Sequence, residues 1–213
     1  MSARANRTRR SFLIAGAALL TACGLGLACA TTPPSNPDDL CSIFKEKRGW
    51  FRAAQESRAQ WGVPEPVQLA IVYQESRFVA RARPPRKRFL GIFPGARPSS
   101  AYGYGQILDG TWQEYRASVG RRAAARDDFG DVVDFIGWYG DRAHGRAGIA
   151  KNDAAALYLA YHEGIGGYSR GTHIAKGWLV QVARKVSVRA ARYQKQYDAC
   201  RERLERKRFL GIF

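Results

Sequence analysis

The sequence predicts an all-α domain, on three observations. Apolar residues recur at helical spacing, most plainly at Phe129, Val132, Val133, Ile136, Trp138 and Tyr139. Aspartates or prolines stand at the start of most of the periodic stretches, where they cap or open a helix. No pair of alternating segments around a tight turn marks a clear hairpin.

In chain order, a helix is expected over Asp39 to Trp61 with Asp38 or Asp39 as its cap. The next covers Pro66 to Val79, with proline near the first turn, where its missing N–H costs no hydrogen bond. Asp109 to Gly120 and Asp127 to Gly140 each run from an acidic start to a glycine stop. Asp153 to Glu163 and Trp178 to Leu204 complete the set. A small irregular lobe falls around 83 to 106. About 170 residues follow the Pro-rich stretch 30–37, enough for one well-cored domain and no second one. Of the five tryptophans, Trp50, Trp61, Trp138 and Trp178 read as core, and Trp112, close to a Gly-rich segment, as the one groove candidate.

Glu75 is the most informative residue. No other acid follows it until Asp109, and on a helix its neighbours three and four positions away are Ile71, Val72, Phe78 and Val79, all apolar. Desolvation raises a carboxyl pKa and so keeps a proton available near neutral pH, as a general acid requires. The plainer reading is a Glu whose head reaches water or pairs with Arg77 or Arg81.

Two aromatic, glycine-bearing clusters follow. Residues 99–107 (SSAYGYGQI) combine two glycines, two tyrosines and one amide, a composition that admits a ligand close to backbone while rings stack on sugars. Residues 160–168 (AYHEGIGGY) follow a short apolar run. Gly and Tyr also populate ordinary turns and cores, and the alternative reading of Tyr161 is a core aromatic.

The order of these pieces resembles the three-motif signature of the lytic transglycosylase (SLT) domain: Glu75-Ser76, then Ala101 to Ile107 with Thr111, then Ala160-Tyr161 before Gly164. The likeness spans residues 64 to 170. It implies a lysozyme-like fold related to goose-type lysozymes, peptidoglycan as substrate, and cleavage between N-acetylmuramic acid and N-acetylglucosamine. It places Glu75 as the catalytic acid/base, Gly103 and Gln106 at the Gly and Gln of the second motif, and Tyr161 at the Tyr of the third. Ser76, Ser100, Tyr102, Tyr104, His162 and Tyr168 join Gly103, Gln106 and Tyr161 as expected substrate contacts. Tyr104-Gly105 stand where the family has Leu-Met, and His162-Glu163 where it has Asn-Ala. A motif serine is displaced by the segment 83–98, with Ser99 or Ser100 in its place.

A glycosidase usually needs two carboxylates. Between Glu75 and the Gly-rich loop there is none; Asp109, Glu114, Asp127, Asp128, Asp131, Asp134 and Glu163 remain as possible partners. The family's route needs only one: the acid protonates the glycosidic oxygen, then takes the proton of the muramoyl C6 hydroxyl as it attacks C1, giving a 1,6-anhydromuramoyl end. The alternatives are a muramidase on the same fold and a non-catalytic peptidoglycan-binding lipoprotein.

Arg4, Arg7, Arg9 and Arg10 precede an apolar run from Phe12 to Leu20, too short to span a membrane, so residues 1–22 read as an export signal. Leu20 to Cys23 resembles a lipobox, with Cys23 the expected lipidated residue and Cys29 a poorer second candidate. Residues 8–13 also resemble a twin-arginine motif. With Gly24 after Cys23, the expectation is an outer-membrane lipoprotein facing the periplasm. The expected organisation is thus signal 1–22, lipidated disordered tether 23–37, catalytic domain 38–205 and tail 206–213. Cys41 and Cys200 are natural disulfide partners in an oxidising periplasm.

The formal charge of +17 falls to +13 without the four arginines of residues 1–22, which contain no acid. A basic chain is drawn to anionic lipid, cell wall or nucleic acid; export and the absence of any nucleic-acid module argue against the last. The octapeptide 86–93 (RKRFLGIF) recurs at 206–213, and three cations followed by mostly apolar residues suit a membrane interface. His144, His162 and His173 match no zinc spacing, so no metal is expected, and no cofactor is implied. Oligomeric state is not readable.

Overall fold

In the computed structural model, residues 32–86, 88–89 and 93–209 are described. Residues 1–22, read as an export signal, and Cys23 and Cys29 therefore lie outside the described residues, as do Lys87, 90–92 and 210–213 of the repeated octapeptide. The described residues are mainly helical, as expected.

Asp39 begins the first helix, α1 (Leu40–Glu46), by accepting the Ser42 amide at 2.7 Å. The single helix expected to run to Trp61 is broken at Lys47, whose φ of −107° and ψ of 69° are not helical, and α2 (Arg48–Trp61) starts anew. The break draws the Lys47 ammonium inward to Thr32 Oγ1 (3.2 Å) and Glu46 (3.2 Å), and lets Phe44 and Phe51 both meet Tyr197. Gly62, at φ 82°, stops α2 with the left-handed turn that glycine adopts without strain.

Next comes α3 (Glu65–Ser76), with Pro66 in its first turn and nine of its twelve residues buried. It is the central helix, and even its first acid is enclosed. Glu65 pairs with Arg58 at 3.1 Å and accepts the Tyr197 hydroxyl at 3.0 Å. Buried charge needs such partners, since removing one would leave the other desolvated and alone.

The lobe after α3 holds a feature the sequence did not show. Strands β1 (Arg88–Phe89) and β2 (Phe93–Pro94) pair antiparallel, Arg88 opposite Pro94 and Phe89 opposite Phe93. Four helices follow: α4 (Asp109–Ser118), α5 (Phe129–Ala147), α6 (Ala154–Glu163) and the short α7 (Ile165–Ser169), the last not foreseen. Asp128 and Asp153 cap α5 and α6 through their carboxylates. The final helix, α8 (Gly177–Phe209), packs against α1, α3 and α6. Helix α5 lies close on α2: a Cβ on Gly137 would sit 2.4 Å from Ser57 Oγ, so only glycine permits that approach.

Two expectations are corrected. Residues 32–37, read as part of a disordered tether, are docked: Ser35 donates twice to Glu46, at 2.8 and 2.6 Å, and the Tyr193 hydroxyl donates to the Pro37 carbonyl. The tryptophans also change places. Trp112 is buried against Tyr115 and Phe135, whereas Trp178, expected in the core, is 59 % exposed.

Cys41 and Cys200 form a disulfide across 159 residues, tying α1 to α8 with their Cα atoms 6.1 Å apart. Closing so long a loop removes much of the freedom of the unfolded chain. Replacing both cysteines by serine is expected to lower unfolding free energy by about 2–5 kcal/mol, measured by urea titration of the oxidised parent and the variant.

Candidate active site

Glu75 occupies the last turn of α3, and the helix stops just past it. Arg77 and Phe78 both take left-handed backbone angles, φ 52° and 64°, each costing a non-glycine residue roughly 1–2 kcal/mol. Phe78 is held there by its ring, which is fully buried between Trp50 (5.6 Å) and Tyr73 (5.9 Å). This reversal corrects the reason given for a dry Glu75. Phe78 and Val79 are not on its helix, and Val79 is exposed.

The enclosure comes instead from α6. The Tyr158 hydroxyl donates to the Glu75 carboxylate, and the charge of Glu75 is felt by Tyr161 as well. Burial pushes the Glu75 pKa up to about 7, with the Tyr158 hydrogen bond opposing part of the rise. The residue keeps some surface, while protein surrounds its carboxyl almost completely. Neither Arg77 nor Arg81 pairs with it: Arg77 donates to the Tyr73 hydroxyl at 2.6 Å, and Arg81 meets Asp127 at 3.4 Å.

The Gly-rich loop reaches this centre through Tyr161, whose hydroxyl donates to the Gly105 carbonyl at 2.7 Å. A Cβ on Gly105 would lie 2.8 Å from that hydroxyl. The loop is fixed from behind. Gly103, at φ 81°, would place a Cβ 1.9 Å from the Arg126 carbonyl, and the Tyr104 amide donates to the same oxygen at 3.0 Å. Gln106 turns inward, its amide donating to the Ala82 and Gly103 carbonyls, each at 2.9 Å. Arg126 clamps the whole turn by donating to Ser100 and Ile107 carbonyls and pairing with Asp109 at 2.6 Å.

The expected contact residues thus divide. Glu75, Tyr161 and the loop around Gly103 and Gly105 come together. Tyr104 does not line a groove: it is 1 % exposed, set edge-on to Trp50 and Phe129, which stack at 3.9 Å. Ser76 is buried and donates to Val72 O, and Ser100 Oγ accepts the Asp109 amide at the start of α4. Tyr102, half-buried, lies beneath Arg83 (4.3 Å) and donates to Asp127 at 3.0 Å. His162 is exposed beside Trp178, and Tyr168 stacks on His173 at 5.0 Å. Two residues escaped sequence reading. Tyr158 stands three before Tyr161 on one helix face, a spacing that could have revealed it; Arg126 left no signal.

Every carboxylate weighed as a second catalytic group has a partner elsewhere. Asp127 meets Tyr102 and Arg81, Glu114 meets Arg142, and Asp134 accepts from Trp61 and Tyr115. Asp131 accepts the Ala125 amide, and Asp128 caps α5. Glu163, held down to about 2 by Lys176 and then Thr172, also touches His162. No cluster of metal-binding side chains occurs among the described residues.

A family model described as "Transglycosylase SLT domain" matches residues 17–200. The chain belongs to the transglycosylase SLT domain family. Comparison with curated proteins and with solved structures found no match. Membership in the SLT family gives the helical, lysozyme-like fold its meaning and ties the chain to peptidoglycan as substrate. No described helix is long and apolar enough to cross a membrane.

Two measurements check this geometry. Gly103→Ala is expected to cost about 2–5 kcal/mol, the sum of a strained φ and an overpacked contact, read from urea unfolding. For Glu75, the raised native pKa means the folded state holds its proton more tightly than the unfolded one. Stability should therefore fall as pH climbs from about 4.5 to about 7, by up to about 3 kcal/mol from this group. Glu75→Gln should remove that component, so the gap between variant and parent opens at high pH and closes near pH 4.

Proposed function

We propose that this chain is a peptidoglycan lytic transglycosylase that cleaves the MurNAc–GlcNAc β-1,4 bond without water, with Glu75 as its single acid/base. The observation that carries the reading is a solitary buried carboxyl, pKa near 7, touching Tyr158 and adjoining the Gly105–Tyr161 contact. A hydrolase would need a second carboxylate to hold water or trap the sugar, and each alternative acid is engaged by other groups.

In the proposed sequence, neutral Glu75 gives its proton to the glycosidic oxygen as the bond to the muramoyl C1 breaks, releasing the GlcNAc 4-hydroxyl. The new carboxylate then accepts the proton of the muramoyl C6 hydroxyl, whose oxygen bonds to C1. Glu75 ends protonated, ready for the next strand. A pKa near the working pH suits a group that acts in both directions. Tyr158 stabilises the carboxylate between the two steps. Gly103 and Gln106 hold the loop, and Tyr161 fixes it against α6, so that backbone groups face the sugar in place of the family's second-motif side chains.

The basic leader, the apolar run to Leu20 and the Cys23 motif support an exported form anchored at Cys23 and facing the periplasm from the outer membrane.

Digestion of purified sacculi tests the reading. The parent should release fragments ending in 1,6-anhydromuramic acid, lighter by one water than hydrolysed fragments; Glu75→Gln should retain its fold and lose at least about 10³-fold in rate. Hydrated reducing ends would instead indicate a muramidase, and no cleavage a binding protein. Above pH 7, kcat/KM should fall as Glu75 loses its proton. Tyr158→Phe should shift that limb to higher pH, because it removes the hydrogen bond that favours the ionised form.

A further inference from the structure

The outward face of α8 in its first half has no part in the chemistry above, yet its composition is unusual. From 177 to 195 the helix carries five cations, Arg184, Lys185, Arg189, Arg192 and Lys195, and no acid. Leu179, Ala183, Val186, Ala190 and Tyr193 face inward and are buried, which turns Val180, Arg184, Lys185, Val188 and Arg192 outward along one stripe. Among the described residues, six large apolar side chains are exposed, and four fall within 174–188: Ile174 (76 %) just before the helix, then Trp178 (59 %), Val180 (40 %) and Val188 (66 %) on it.

Beside this stripe lies a groove of 490 Å³ between α8 and the end of α3. Five cations line it: Arg77, Arg184, Lys185, Arg189 and Arg192. Among the described residues, Asp38 is the single carboxylate paired with any of them, bonding Arg189 at 2.7 Å and Arg192 at 2.9 Å. Arg189 stacks on the Tyr73 ring at 3.3 Å and Arg77 lies 5.0 Å from the same ring, so two guanidinium planes are already held in place. Such forks suit the paired oxygens of a phosphate.

We propose that this face is a membrane-surface docking site, with the groove taking the phosphate of an anionic phospholipid and the apolar side chains entering the headgroup layer. Cations among exposed apolar groups on a helix lying flat match both parts of a lipid interface, whereas a soluble polyanion would draw on the cations alone. None of the residues lining the groove belongs to the repeated octapeptide or to the leader, and the proposal does not depend on the catalytic reading.

The test uses the full chain and its variants in co-sedimentation with vesicles of equal parts phosphatidylglycerol and phosphatidylcholine, and with phosphatidylcholine alone. Arg184→Glu/Lys185→Glu should weaken binding to the mixed vesicles on the order of tenfold or more at 0.1 M salt. Val188→Asp should weaken it several-fold, and binding to phosphatidylcholine alone should be weaker for every form. Sacculus binding and cleavage should not change. Loss of sacculus binding with vesicle binding intact would assign the groove to carboxylates of the wall and overturn the proposal. Unchanged vesicle binding in both variants would reduce the face to a solvated surface. Circular dichroism of each variant separates these outcomes from misfolding.

Discussion

One carboxyl surrounded by tyrosines sets the terms for the rest of the molecule. An acid can keep its proton near neutrality only where water is scarce, and Glu75 finds that place because α3 runs through the centre of the domain and α6 closes over its end. Burying α3 has its own requirements. Its first acid must be paired, which Arg58 and Tyr197 accomplish, and its polar Gln68 donates to the Ala54 and Val63 carbonyls. The tail of the chain thereby supports the head of the central helix, and the disulfide between Cys41 and Cys200 ties that same tail to α1.

Around this helix the aromatic core acts as scaffolding for the loop. Trp50, Phe129 and Tyr104 form one packed group, and Tyr104 belongs to the very segment whose backbone meets Tyr161. A residue that would be spent on substrate in a different arrangement is here used to pin the turn. Gly103 and Arg126 complete the restraint from the other side. The loop is thus an edge built mostly from backbone and restrained on both sides.

Much of this was legible in the sequence where the signal was local. Aspartates marked the starts of three helices: Asp39, one of two candidates, and Asp153 make the capping bonds, while the helix read from Asp127 to Gly140 is capped by Asp128 and runs on to Ala147. Glu75 was found by its isolation among apolar residues, yet the cause assigned to its dryness was wrong. The helix ends early at Arg77 and Phe78, neither of which is a residue that ordinarily marks a left-handed turn, and the covering groups come from eighty residues downstream. The break at Lys47 was hidden for a similar reason, since it depends on Thr32 and on rings from α8. Trp112 is buried and Trp178 exposed, against expectation, because tryptophan content says nothing about which face of the domain a helix end will meet. The two-residue ladder at 88–94 is too short to leave a pattern of period two.

The left-handed pair after Glu75 carries a consequence for how this protein can fail. Its backbone is held in an uncommon shape by a distant side chain, Phe78 lodged beside Trp50. Damage to that lodging would let the turn relax while the helices stay packed, swinging the Glu75 carboxyl away from Tyr158. If Glu75 acts as proposed, lesions of this kind would leave the molecule abundant and folded but silent, a class of defect easily mistaken for a mutation at the chemistry itself.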